Sequence, residues 1–123
     1  MKILFLIGTG SFIGGISRYL LSHFIQTKLF STFPFGTLAV NLLGCFAIGV
    51  VFSLSEKISM DSEWRLFLAT GLCGGFTTFS AFSIETLGML RDSQFLFAGA
   101  YIISSIILGL LLTYFGIMIT KLL

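Results

Sequence analysis

GLCGGFTTFSAFSIE, residues 71–85, lies inside a long apolar run, yet it holds adjacent glycines, adjacent threonines, three phenylalanines spaced by three and a glutamate. Glycine weakens a helix interior, and hydroxyl and carboxylate groups are costly in hydrocarbon unless they are paired. The stretch predicts an apolar helix that breaks where Gly74-Gly75 meets Thr77-Thr78. A break frees backbone carbonyls and N–H groups, which hydrocarbon tolerates only when protein, water or an ion satisfies them. Freed carbonyls suit a cation. Phe76, Phe79 and Phe82 fall along one drifting face. There they either pack or turn the positive rims of their rings towards an anion, and spacing leaves both readings open.

The rest of the chain supplies the setting. Charged residues make up 10% and hydrophobic ones 56%, with a mean hydropathy of +1.07; a soluble domain carries about 25% charged residues. A soluble fold of this length cannot hide so much apolar surface, so an all-α integral membrane protein is expected. A spanning helix needs about 20 mostly apolar residues. Four runs qualify, at about 3–24, 35–54, 66–90 and 95–122, and the connectors QTKLFSTFP, SEKISMDSEWR and RDSQ are short. Neighbouring spans must then run antiparallel, and residues 1–123 form a single four-helix transmembrane domain with its third helix broken near the centre. MKILFLIG has one lysine and no small-residue cleavage site, so it reads as a retained first span. Cys45 and Cys73 lie in apolar runs and are expected to be free thiols. No Cys/His cluster has metal-ligand spacing, and His23 reads as an interfacial residue.

Four spans put both termini on one side, together with Lys2, Lys57, Arg65 and Lys121. The other side receives Lys28 and Arg91, with Arg18 if it reaches the end of the first helix. Lys/Arg bias orients membrane proteins, and this chain has almost none. Insertion both ways up follows as an expectation.

Ionisable residues within spans are rare and usually functional. Arg18 and Glu85 are the two here, each close enough to a helix end to snorkel to water. In the first span Gly10/Gly14 and Ser11/Gly15 are small-xxx-small pairs that let backbones approach; they do not form a dinucleotide fingerprint. Pro34 suits a helix start. Asn41, about two turns later, either glues two helices or offers its N–H donors to an anion. In the fourth span Tyr101, Ser105 and Thr113 stand at i, i+4 and i+12, with Gly109 at i+8. Residues four apart share a face, so they draw a narrow polar line, although Ser and Thr also bond back to their own helix.

Taken together, GSFIGGISRY (10–19), GTLAVNLLG (36–44) and GLCGGFTTFSAFSIE resemble the Fluc, or CrcB-type, fluoride channels over nearly the whole chain. The resemblance implies an antiparallel, dual-topology homodimer in the bacterial plasma or inner membrane. It implies a passive, fluoride-selective pore that exports fluoride and lowers its toxicity, with two pathways per dimer. By position, a structural Na⁺ at the dimer centre would take the carbonyls of Gly74 and Thr77. Phe79, Phe82 and Asn41 would line the anion pathway with Ser80, Thr37, Tyr101, Ser105 and Thr113; Arg18 would stand at the vestibule, and Glu85 near the pathway. The implied partners are fluoride, sodium, a second copy of the chain and the lipid bilayer, with no nucleic acid and no enzymatic activity. Gly109, where related channels often place a serine, and Ala81, in place of a threonine, depart from the pattern. A proton-coupled exporter of the small multidrug resistance type is the rival reading, but it needs a carboxylate deep in the first span and none is there. A non-transporting assembly subunit is the other.

Overall fold

A computed structural model describes residues 1–123 and is helical throughout, without strands. Helix α1 (Lys2–Leu29) and α2 (Phe35–Lys57) are unbroken. The third span, Ser62–Arg91, falls into pieces. These are a short α3 (Ser62–Arg65), a wide π-helical segment (Leu66–Cys73), a single turn α4 (Gly74–Phe76) and α5 (Phe79–Arg91). Helix α6 (Phe95–Leu122) closes the chain. All four spans are long and apolar enough to cross a bilayer.

The helix ends differ from the expected ones for local reasons. Nothing in the sequence stops α1 before Phe30, which takes a left-handed conformation (φ 47°, ψ 43°). Asp61 caps the third span early, its carboxylate accepting the Glu63 N–H at 3.3 Å. Gln26 then fixes the α1–α2 connection. Its amide donates to the carbonyls of Ser31 (2.8 Å) and Phe33 (3.0 Å) and accepts from the Gly36 N–H (2.9 Å). Phe33, held in this way, packs with Met89, Ala98 and Tyr101 in the buried core, its ring edge-on to Tyr101 at 5.6 Å.

Helix α2 lies along α6, and α1 lies along the third span. The second pairing depends on glycine. A Cβ at Gly10 would stand 2.6 Å from the Phe67 carbonyl oxygen, and one at Gly75 would stand 2.7 Å from that of Ser11. Backbone meets backbone there, the geometry small-xxx-small pairs permit. At one end of the bundle Lys2 pairs with Glu63 at 3.2 Å, and Lys57 donates to the Thr120 carbonyl at 3.2 Å. Both termini therefore share that end with the α2–α3 connection, while Lys28, Arg91 and Asp92 belong to the opposite one.

Candidate functional site

The break falls at Thr77 and Thr78, near the middle of the third span. Both are extended (φ −91°, ψ 156° and φ −147°, ψ 118°), whereas Gly74 is helical at φ −63°, ψ −38°. Gly75 therefore serves the approach of α1, its Cβ place lying 2.7 Å from the Ser11 carbonyl oxygen, and the threonines open the helix. A threonine can do this because its hydroxyl replaces lost backbone partners. Thr77 N–H and Oγ both donate to the Cys73 carbonyl at 3.1 Å. Thr78 Oγ accepts the Ala81 N–H at 3.1 Å and so caps α5, and it lies 3.2 Å from Ser80 Oγ.

Thr78 still has a backbone N–H and a carbonyl to satisfy, and Asn41 takes both. The Thr78 N–H donates to Asn41 Oδ1 at 2.9 Å, and Asn41 Nδ2 donates to the Thr78 carbonyl at 3.1 Å. Asn41 is thus the clamp that lets α2 hold the break open. One of its two amide protons remains for a ligand. No donor of the chain reaches the Thr77 carbonyl. The carbonyl end of α4 and the N–H end of α5 consequently meet at mid-membrane, one favouring a cation and the other an anion.

A cavity of about 400 Å³ opens at this point, lined among others by Asn41, Thr77, Thr78, Phe79, Phe82 and Ser105. The Phe79 and Phe82 rings lie 5.6 Å apart, and Phe82 lies 5.0 Å from Tyr101. Phe79 is 78% exposed, so its ring is not a core filler. The Ser105 hydroxyl is buried and has no hydrogen-bond partner, a state that costs free energy unless a ligand completes it.

Thr113 stands apart from this group. It donates to the carbonyls of Gly109 (3.0 Å) and Cys45 (3.1 Å), so its proton straps α6 to α2. The polar line on α6 is therefore three residues with three duties, and Ser105 alone among them has a free proton.

Glu85 is the organising residue of a second group. Thr37 donates to one of its carboxylate oxygens and Tyr101 to the other, both at 2.9 Å. Glu85 and Thr37 also line a polar recess of about 400 Å³ with Ser22, Gln26, Asp92 and Gln94. Arg18, half-buried, is one turn before Ser22 and two before Gln26 and so shares their face of α1. Tyr101 links the two groups of residues, its hydroxyl on Glu85 and its ring 5.0 Å from that of Phe82. Tyr101→Phe takes one of two donors from a partly buried carboxylate, which costs about 2 kcal/mol. Denaturant titration in detergent should show that loss; an unchanged midpoint would mean the phenol does not serve Glu85.

Gln26 is a functional residue that sequence reasoning did not single out, and Thr78 was read there as part of the break but not as the cap of α5. Gln26 bears no local signature. Thr78 carries the N-cap residue type, but without the Glu or Gln three residues on that marks a capping box.

The model of the family described as CrcB-like protein, Camphor Resistance (CrcB), matches residues 5–117. A fluoride-specific ion channel FluC of Chlorobium phaeobacteroides (strain BS1) is 47% identical over 120 residues, covering 97% of this chain and 93% of its own. The protein of that name from Phocaeicola vulgatus is 45% identical over 121 residues, covering 98% and 100%. One from Leptospira interrogans is 43% identical over 121 residues, covering 98% and 95%.

Proposed function

The chain belongs to the CrcB family, and from that premise we propose that it is a passive, fluoride-selective channel of the bacterial plasma membrane that lets fluoride leave the cytoplasm. It is a multi-pass membrane protein and not an enzyme. The observation that carries the mechanism is the unpartnered Ser105 hydroxyl in a cavity it shares with Asn41, Phe79 and Phe82.

Fluoride is small and strongly hydrated, so a pore must replace its water. The Ser105 hydroxyl, the spare Asn41 N–H, the Phe79 and Phe82 ring edges and the N-terminal end of α5 all present positive partial charge there. None is a full charge, which keeps binding weak enough for release. Fluoride would pass between this cavity and the recess along Tyr101 and Phe82, where Thr37 and Tyr101 hold their hydroxyls on Glu85. Ser80, exposed at the start of α5, would offer a further hydroxyl beside Phe79. Thr113 would serve by fixing α6 rather than by donating to the ion. Arg18 would raise the anion concentration at the mouth. An inside-negative potential, about 2.3 kcal/mol per charge per 100 mV, would drive fluoride outward.

The working unit is a homodimer of oppositely inserted copies. Gly74 and Ser80 are exposed at the break, and opened backbone at membrane depth must face protein or water rather than lipid. A second copy supplies that protein, and two copies give two pathways. The balanced Lys/Arg distribution supports the inverted arrangement. The Thr77 carbonyl, which has no donor, and that of Gly74 would hold a structural Na⁺ between the copies. When bound, the ion would supply positive charge at the carbonyl end of α4.

Neither rival has comparable support: the first span lacks the carboxylate an exporter needs, and a subunit that only packs has no use for an unpartnered buried hydroxyl. Fluoride efflux from liposomes tests the pathway. Ser105→Ala and Phe79→Ile should each slow efflux by about tenfold or more, the loss of roughly one hydrogen bond to an anion. Wild-type efflux in both variants would place the lining elsewhere.

A further inference from the structure

The line Tyr101, Ser105, Thr113 has a gap at Gly109, the i+8 place. That gap is filled from another helix. A Cβ at Gly109 would stand 3.3 Å from Cys45 Sγ, so the α2 sulfur lies close against the place where an α6 side chain would begin. Cys45 is a free, half-buried thiol, and it lines the central cavity together with Ser105, Asn41 and Phe79. Its own carbonyl is bound by the Thr113 hydroxyl at 3.1 Å, which fixes this point of α2 against α6. A thiol is a weak donor, and the neighbouring threonine has no proton to spare.

We propose that the Cys45 thiol completes the donor line of the anion pathway in place of a side chain at position 109, and that covalent capping of this thiol closes the pathway. The proposal rests on the channel reading and adds a residue to it. Capping needs only a small neutral thiol reagent. With methyl methanethiosulfonate, the Cys45 thiolate attacks the sulfenyl sulfur and forms a new S–S bond. The S–SO₂ bond breaks, methanesulfinate leaves, and the thiol proton goes to water. The methylthio group then stands where the ion would pass.

Cys73 also lines the cavity but is buried, and its carbonyl holds Thr77, so single-thiol variants separate the two. Purified full-length protein in liposomes is treated with the reagent, and fluoride efflux is read alongside intact-protein mass. Wild type and Cys73→Ala should gain one methylthio group on Cys45 and slow by about tenfold or more. Cys45→Ser should take up no methylthio group, and its efflux, whatever the untreated rate, should not change with the reagent. Cys45→Ala should pass fluoride about threefold more slowly before treatment, for want of the donor. Full efflux from protein whose mass shows Cys45 capped would overturn the proposal. So would block of Cys45→Ala, or no adduct on Cys45. If untreated wild type passes no fluoride, it is the channel reading that fails instead.

Discussion

Asn41→Asp is expected to leave the protein folded and stop fluoride. The substitution keeps an acceptor for the Thr78 N–H but turns the donor that faces the Thr78 carbonyl, now at 3.1 Å, into a second oxygen. It also sets a full negative charge in the cavity where the anion must pause. Two like charges about 4 Å apart at an effective dielectric constant of about 20 repel by about 4 kcal/mol, which corresponds to a rate loss of about a thousandfold. Efflux within about threefold of wild type would show that Asn41 faces no anion. Asn41→Ala separates the clamp from the charge. It strips both Thr78 backbone groups of their partner, at about 1–3 kcal/mol each, and should lower stability as well as flux.

The second large effect belongs to a packing surface with no part in conduction. Gly14→Ala places a methyl group against the Leu72 carbonyl and 2.9 Å from the Phe76 nitrogen. Backbone atoms cannot swing aside as a flexible side chain would, so α1 must retreat from the third span along its length. Overpacking of this kind costs about 3 kcal/mol, and α1 covers the helix that carries the break. Gly8 and Gly15 lie on the same helix with nothing within 4 Å of an added Cβ. Gly8→Ala and Gly15→Ala should therefore be neutral or gain up to about 1 kcal/mol of helix propensity. Unfolding midpoints in detergent for the three variants decide the matter. Equal midpoints would mean that the close approach of α1 to the third span is not what holds the bundle.

Membrane class, span number and the existence of the break were all legible in residue types, because hydropathy and helix-breaking chemistry are local properties. What the break is made of was less legible. Gly74-Gly75 and Thr77-Thr78 are adjacent, and only the partner helix shows that Gly75 admits α1 while the threonines open the chain. Asn41 had two readings of equal standing, glue or anion donor. The two-way contact with Thr78 shows that the amide does the first, and it engages only one of the two amide protons. Glu85 read as an end-of-helix carboxylate; its two hydroxyl donors come from residues 48 positions before and 16 after it, distances no local pattern spans. Thr113 shared a helical face with Ser105, yet periodicity cannot say that one hydroxyl is tied to carbonyls while the other is free.

Fluoride and chloride efflux, measured in parallel from liposomes loaded with both salts and carrying the purified wild-type protein, tests the central claim most directly. A passive fluoride-selective pore should release the fluoride once a potassium ionophore relieves the membrane potential, while the chloride stays inside. Retention of both ions, or release of both at comparable rates, would contradict it.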